Sequence, residues 1–183
     1  NSPVTNCGPG LFTLTATPSI GTINWYSQIG GTVINTGLSY TTPFISANTT
    51  YYAEGYNKGC TSTNRTPATV FVYQSPVVTD EEVAICEDSN TTLNAGIDNV
   101  TYLWSTGETS KNITVAEAGI YTLTVTSLPP ENCSSTKTFT VIVNTKPVID
   151  NVIVKGSSVT IITSGNGDYE YSLDNITFQD SNV

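Results

Sequence analysis

Apolar and polar side chains alternate along much of this chain, as they do in β-strands with one buried and one solvated face. Tyr121, Leu123 and Val125 fall on one face of such a run, and the threonines between them fall on the other. Phe139 and Val141 continue the pattern in a later run. Glycine and asparagine separate the runs, where turns need positive φ or polar tips. Long stretches of helical period are absent, so the pattern predicts an all-β chain.

Proline marks the predicted domain boundaries. Pro76 and Pro147 each follow a β-rich run, and proline lacks the N–H donor that would extend a strand ladder. We therefore expect one domain at 1–75, a second at 76–146, and the start of a truncated third β unit at 147–183. Many short strands with regular turns are typical of a two-sheet sandwich. The predicted fold is a tandem of immunoglobulin-like β-sandwich domains.

The cysteines and tryptophans mark an internal repeat. They are the following six residues: Cys7, Trp25, Cys60, Cys86, Trp104 and Cys133. Each tryptophan lies 18 residues after the first cysteine of its pair, and a tyrosine-led strand precedes each second cysteine. This recurrence indicates one domain used twice. The position of Trp25 and Trp104 on apolar alternating strands predicts that they pack between the sheets, and Tyr121 is expected in the core with them.

The repeat also predicts how the cysteines pair. Four cysteines allow three connectivities, and the repeat selects Cys7 with Cys60 and Cys86 with Cys133, one disulfide per domain. The alternatives are four free thiols or a zinc site, but zinc ligands usually come as close Cys-x-x-Cys pairs with histidine, and this chain has neither. Because disulfides persist in oxidising compartments, we expect an extracellular location on the outer cell surface.

Charge and composition exclude several function classes. The chain carries 15 acidic and 6 basic residues, with a net charge of −9, and it has no basic cluster that would neutralise the phosphates of a nucleic acid. It has no histidine, which excludes Ser-His-Asp and Cys-His catalysis by this chain alone. No glycine-rich phosphate loop joins a strand to a helix. We expect no catalytic residues, no cofactor, no metal and no nucleic-acid partner.

Two groups of residues carry candidate binding chemistry. The first group is a run of three carboxylates, Asp80, Glu81 and Glu82, which offer the oxygen ligands that calcium binds. Consecutive side chains of an extended segment point in alternating directions, so all three do not easily converge on one ion. We therefore expect a solvated acidic loop there, and calcium binding stays open. Tyr52 and Tyr56 are the candidate contact residues, because adjacent tyrosines on one strand cannot all face the core.

Several segments resemble repeats of known surface proteins. Residues 21–26 and 49–54 resemble the Ig-like repeat of very large Bacteroidota surface proteins. Residues 103–107 and 118–125 are similar to the PKD-like repeat of the same proteins. The tail at 167–183 resembles the domain that precedes a type B C-terminal sorting signal of the type 9 secretion system.

This resemblance implies a function and a set of partners. It implies export by the type 9 secretion machinery and attachment to, or release from, the cell surface, as in gliding-motility adhesins. The expected function is a non-catalytic adhesin segment that neighbours other Ig-like domains and contacts surface glycans. The alternative is a carbohydrate-binding accessory module of a secreted enzyme, in which exposed tyrosines would stack on sugars.

Overall fold

The computed structural model describes residues 3–156 and 158–164, and these residues form strands and turns. Within that part of the chain, no helix has the length and apolar character needed to cross a membrane. Contacts divide the chain into two compact units. Unit 1 comprises Asn1–Val77 with Thr126–Ser135, and unit 2 comprises Val78–Val125 with Thr136–Val183.

The first set of strands builds two sheets. Its members are β1 (Val4–Cys7), β2 (Thr13–Thr15), β3 (Thr22–Tyr26), β4 (Asn35–Thr36), β5 (Ser39–Thr41), β6 (Thr49–Asn57), β7 (Cys60–Thr61) and β8 (Thr66–Tyr73). The larger sheet has the order β1-β8-β6-β3-β4, with β7 paired to β6, and the smaller sheet pairs β2 with β5. β1 runs parallel to β8 and ends with Cys7 opposite Tyr73.

The core of unit 1 is formed by alternate residues of these strands. Ile23 and Trp25 of β3, and Tyr51 and Ala53 of β6, are buried in one apolar cluster. Trp25 has no exposed surface, and its indole N–H donates to the carbonyl oxygen of Gly37 at 2.9 Å. That bond offsets the cost of removing a polar N–H from water.

The second set of strands repeats this arrangement. Its members are β9 (Glu81–Cys86), β10 (Thr91–Asn94), β11 (Val100–Trp104), β12 (Asn112–Val115), β13 (Gly119–Ser127) and β14 (Ser134–Asn144). One sheet has the order β11-β13-β14-β9, and the other pairs β10 with β12. β9 runs parallel to β14 and ends with Cys86 opposite Asn144. Both sets are therefore Ig-like sandwiches whose first strand lies parallel to the last.

The second core also contains a tryptophan. Trp104 is 2% exposed, its ring centroid lies 5.4 Å from that of Phe139, and its N–H donates to the carbonyl oxygen of Ser110 at 2.8 Å. Leu123 has no exposed surface, and Tyr121, which is partly buried, packs against the same cluster. The two tryptophans thus occupy equivalent buried positions in the two sandwiches.

A hairpin follows the second set of strands. β15 (Val148–Lys155) pairs antiparallel with β16 (Ser158–Ser164), and the register shifts between Ile149 and Asn151. This hairpin lies in the range 147–183, which the sequence predicts as the start of a third unit, and contacts group it with unit 2. The remainder of that predicted third unit, including the tail at 167–183 that resembles the domain before a sorting signal, lies outside the described residues.

The cysteines pair differently from the sequence prediction. A disulfide joins Cys7 to Cys133, with their Cα atoms 5.6 Å apart and 126 residues between them in sequence. Cys60 and Cys86 are exposed free thiols. The predicted pairs, Cys7 with Cys60 and Cys86 with Cys133, are therefore wrong, and so is the expectation of one disulfide inside each domain.

The direction of the strands explains why the predicted cysteine pairs do not form. A disulfide requires Cα atoms within about 7 Å. Cys7 lies beside the last residue of β8, whereas Cys60 precedes the first residue of that strand. A strand of this length spans about 23 Å, so these two cysteines lie toward opposite ends of one sheet. Cys86 and Cys133 are separated in the same way by β14, which spans about 33 Å.

Candidate functional site

Strand β6 carries both predicted contact tyrosines. Tyr51 and Ala53 are buried in the core, so alternation places Tyr52 and Tyr56 on the other face of the sheet. Tyr52 is half-buried and lies opposite Tyr26 of β3. Tyr56 is 37% exposed, which makes it the more accessible of the two rings.

A polar network of three side chains lies on the same face. The Tyr26 hydroxyl donates to the Glu54 carboxylate, and the other oxygen of that carboxylate accepts from Nε of Arg65 at 3.3 Å. The guanidinium of Arg65 stacks on the Tyr26 ring, with Cζ 3.3 Å from the ring centroid. The three side chains thus form a closed triangle. Burial, and then the hydrogen bond to Glu54, raises the pKa of Tyr26 above its ordinary value.

Arg65 also fixes the loop between β3 and β4. Its Nη1 donates to the carbonyl oxygen of Ile29 at 2.7 Å and to that of Gly31 at 3.1 Å. These charge-assisted bonds hold the loop against the outer face of the sheet. Since Nε and Nη1 are both engaged within unit 1, Arg65 acts as a clamp, and the exposed tyrosine ring is the part of this face best placed to contact another molecule.

This network was not predicted from the sequence. The signal was present, because Arg65 is the only arginine in a chain with six basic residues. An arginine in such a chain that is close to a tyrosine-rich strand indicates a planar donor used for stacking and for bonds to carbonyl and carboxylate oxygens. What the sequence did not contain was the pairing of β3 with β6, which brings Tyr26 and Glu54 together on one face.

The acidic residues at 80–82 are exposed, but the expectation of a loop there is wrong, because β9 begins at Glu81 and the side chains of this segment anchor that strand. Asp80 accepts the backbone N–H of Thr138 at 2.7 Å, and Glu81 pairs with Nζ of Lys137 at 2.9 Å. Lys137 is 6% exposed, and its ammonium lies 4.2 Å from the ring centroid of Phe139. In the part of the chain that the structure describes, no group of three Asp, Glu, Cys or His side chains is arranged to hold a metal ion.

Comparison with solved structures finds tandem Ig domains. The chain is similar to the three N-terminal domains of the highly immunogenic outer capsid protein (Hoc) of bacteriophage RB49, with 17% identity and a TM-score of 0.41 over 89% of this chain and 66% of that one. It is similar to Sidekick-1 immunoglobulin domains 1–4, with 14% identity and a TM-score of 0.31 over 90% of this chain and 55% of that one. It is also similar to a variant of titin domains I67–I69, with 14% identity and a TM-score of 0.38 over 97% of this chain and 77% of that one.

The N-terminal part of the chain matches one protein family. The chain spans 66% and 55% of the first two of those structures. No curated protein matches the sequence. Residues 1–73 match the family described as Ig-like domain CHU_C associated, and this range includes all of β1 to β8. The N-terminal sandwich of the chain is therefore similar to the CHU_C-associated Ig-like domains.

Proposed function

We propose that this chain is a non-catalytic, extracellular segment of a secreted or cell-surface adhesin, in which Ig-like units carry load and present a contact face. The observation that carries the proposal is the disulfide between Cys7 and Cys133. It ties the end of the first strand to the hairpin between β13 and β14, so tension that enters at the N-terminal side passes through a covalent bond. A disulfide that closes so long a loop stabilises the fold, and it also shortens the length of chain that tension can extend.

The proposed location and export route have separate support. A disulfide between Cys7 and Cys133 needs an oxidising compartment, which favours the outside of the cell. The proposal includes export by the type 9 secretion machinery and service in gliding motility or surface attachment. The match of residues 1–73 to the CHU_C-associated Ig-like domains supports this part, as does the resemblance of residues 167–183 to the domain before a sorting signal.

The proposed contact residues are Tyr52 and Tyr56, and the proposed ligands are surface glycans. The two tyrosines lie four residues apart on one strand, on the sheet face away from the core. An exposed tyrosine ring offers an apolar face for a sugar ring and a hydroxyl for a hydrogen bond. The same face would serve the alternative function, a carbohydrate-binding accessory module.

A glycan array tests the adhesive role of this face. We expect the intact chain to bind a subset of glycans, and Tyr56→Ala to abolish that binding because it removes the more exposed ring. Phe44→Ala is the matched control, since Phe44 is a large aromatic residue that is 68% exposed and lies on another segment. Equal binding by the two variants, or no binding by the intact chain, would contradict the glycan part of the proposal.

A further inference from the structure

Both free cysteines occupy positions whose equivalents in the other sandwich form a disulfide. Cys7 and Cys86 each end the first strand of a sandwich, and Cys60 and Cys133 each lie at the hairpin that leads into the last strand. The observed bond joins a first-strand cysteine of one repeat to the hairpin cysteine of the next. What is left over is one cysteine of each kind, Cys86 and Cys60, and both are exposed.

The equivalence of Cys86 and Cys7 extends to the backbone. Each ends a strand that runs parallel to the last strand, with Cys7 opposite Tyr73 and Cys86 opposite Asn144. The residue after each cysteine donates its N–H to the carbonyl oxygen of that opposite residue, at 2.8 Å in both cases. The backbone therefore presents the free thiol of Cys86 from the same local structure that presents the bonded sulfur of Cys7.

Cys60 and Cys133 are equivalent in the same sense. Cys60 faces Asn57 across a two-residue turn, and it directly follows Gly59, whose φ is +90°. Cys133 faces Ser127, whose N–H donates to the Cys133 carbonyl oxygen at 2.9 Å, and it directly follows Asn132, whose φ is +52°. Each cysteine thus opens the returning arm of a hairpin after a residue in the left-handed region.

The surfaces beside the two free thiols are concave: the one that contains Cys60 is lined by uncharged residues, and the one next to Cys86 is acidic. A cavity of about 560 Å³ in unit 1 is lined by Cys60 and by Ile20, which is 68% exposed. A cavity of about 460 Å³ in unit 2 is lined by Glu87, the residue after Cys86, and by Glu117. Lys58 lies in the exposed turn before Cys60. A basic hairpin tip would therefore be attracted to the acidic surface beside Cys86.

We propose that Cys86 of one copy of this chain forms an intermolecular disulfide with Cys60 of a second copy. This bond would repeat, between copies, the pairing of a first-strand cysteine with a hairpin cysteine that joins Cys7 to Cys133. The inference goes beyond the proposed adhesive role, because it holds whether or not the tyrosine face binds a glycan. A small-molecule disulfide such as oxidised glutathione supplies the oxidising equivalents. One thiolate attacks it and releases one glutathione thiolate, and the second protein thiolate then attacks the mixed disulfide and releases the other. The net change converts two protein thiols and one glutathione disulfide into one protein disulfide and two glutathione thiols.

Two single variants of the full chain test this selectivity. Cys60→Ser retains only the thiol of Cys86, and Cys86→Ser retains only that of Cys60. Equal amounts of the two variants are mixed with oxidised glutathione, and the dimers are counted by intact mass and peptide mapping. We expect the Cys86–Cys60 heterodimer in at least about tenfold excess over both homodimers, because docking raises the effective concentration of the correct pair. Each variant alone should stay monomeric.

The outcomes separate selective docking from random oxidation. If the heterodimer is only as abundant as the two homodimers together, the thiols meet by chance and the proposal is overturned. Formation of glutathione adducts without dimers overturns it as well. Lys58→Glu should slow heterodimer formation about threefold or more by placing like charges together, whereas Lys155→Glu, at the exposed end of β15, should not. Equal rates for these two charge variants would contradict the proposed docking surface.

Discussion

The disulfide between Cys7 and Cys133 makes a quantitative prediction about extension under force. When the chain is pulled from its two ends, tension reaches Cys7, crosses the bond and continues from Cys133 into β14. The intervening loop carries no load while the bond is intact. The two cysteines are 126 residues apart in sequence. An extended chain spans about 3.5 Å per residue, so the bond should conceal about 44 nm of contour length.

Single-molecule force spectroscopy measures this length directly. The full chain is held between terminal handles and unfolded, first oxidised and then in a reducing buffer. Reduction, or the substitution Cys7→Ser, should add the concealed length to the total extension. Cys60→Ser is the matched control, because Cys60 is a free thiol, and it should leave both traces unchanged.

The same experiment distinguishes the two disulfide patterns. Bonds between Cys7 and Cys60 and between Cys86 and Cys133 would enclose separations of 53 and 47 residues. Those loops would conceal about 19 nm and 16 nm and would leave the rest of the chain extensible. Reduction that adds only about 35 nm, the combined length of those two loops, would therefore refute the force path proposed here.

Three further predictions concern side-chain networks. Arg65→Met should lower the free energy of unfolding of unit 1 by about 2 kcal/mol in a denaturant titration, because the partly buried Glu54 loses its cation. Adding Glu54→Gln to the Arg65→Met variant should recover part of that loss. The pKa of Tyr26 is raised on folding, so the unfolded chain releases this proton at a lower pH than the folded chain, and stability falls as the pH rises above about 10. Tyr26→Phe should make that fall in the free energy of unfolding smaller. Glu81→Ala should destabilise unit 2 more than Lys137→Met, by about 1 kcal/mol or more in thermal unfolding. The first change leaves a buried ammonium without its carboxylate, whereas the second leaves an exposed carboxylate that water can solvate. Equal losses of unfolding free energy in the two variants would contradict this explanation.

Much of the fold could be predicted because alternation and the tryptophan spacing are local signals. Period-two order in β13 follows from a buried face that carries Leu123 and Val125, and the chain in fact forms a strand there. The matched spacing of Trp25 and Trp104 after a cysteine reflects an equivalent place in two sandwiches, and both residues are buried in the structure. Such signals survive in a single sequence because they depend on neighbours a few residues apart.

The disulfide could not be predicted from the same signals. The repeat shows which cysteines are equivalent, but it does not show that the first strand of each sandwich runs parallel to the last. That direction separates the two cysteines of one repeat by the length of a sheet. The clamp formed by Arg65 was hidden for a similar reason, since Tyr26 and Glu54 are brought together by strand pairing across 28 residues of sequence.

Peptide mapping of the oxidised chain under conditions that prevent thiol exchange is the most direct test. We expect one disulfide-linked pair of peptides that contains Cys7 and Cys133, with Cys60 and Cys86 recovered as alkylated thiols in the monomer. Peptides that link Cys7 to Cys60, or Cys86 to Cys133, would contradict the account.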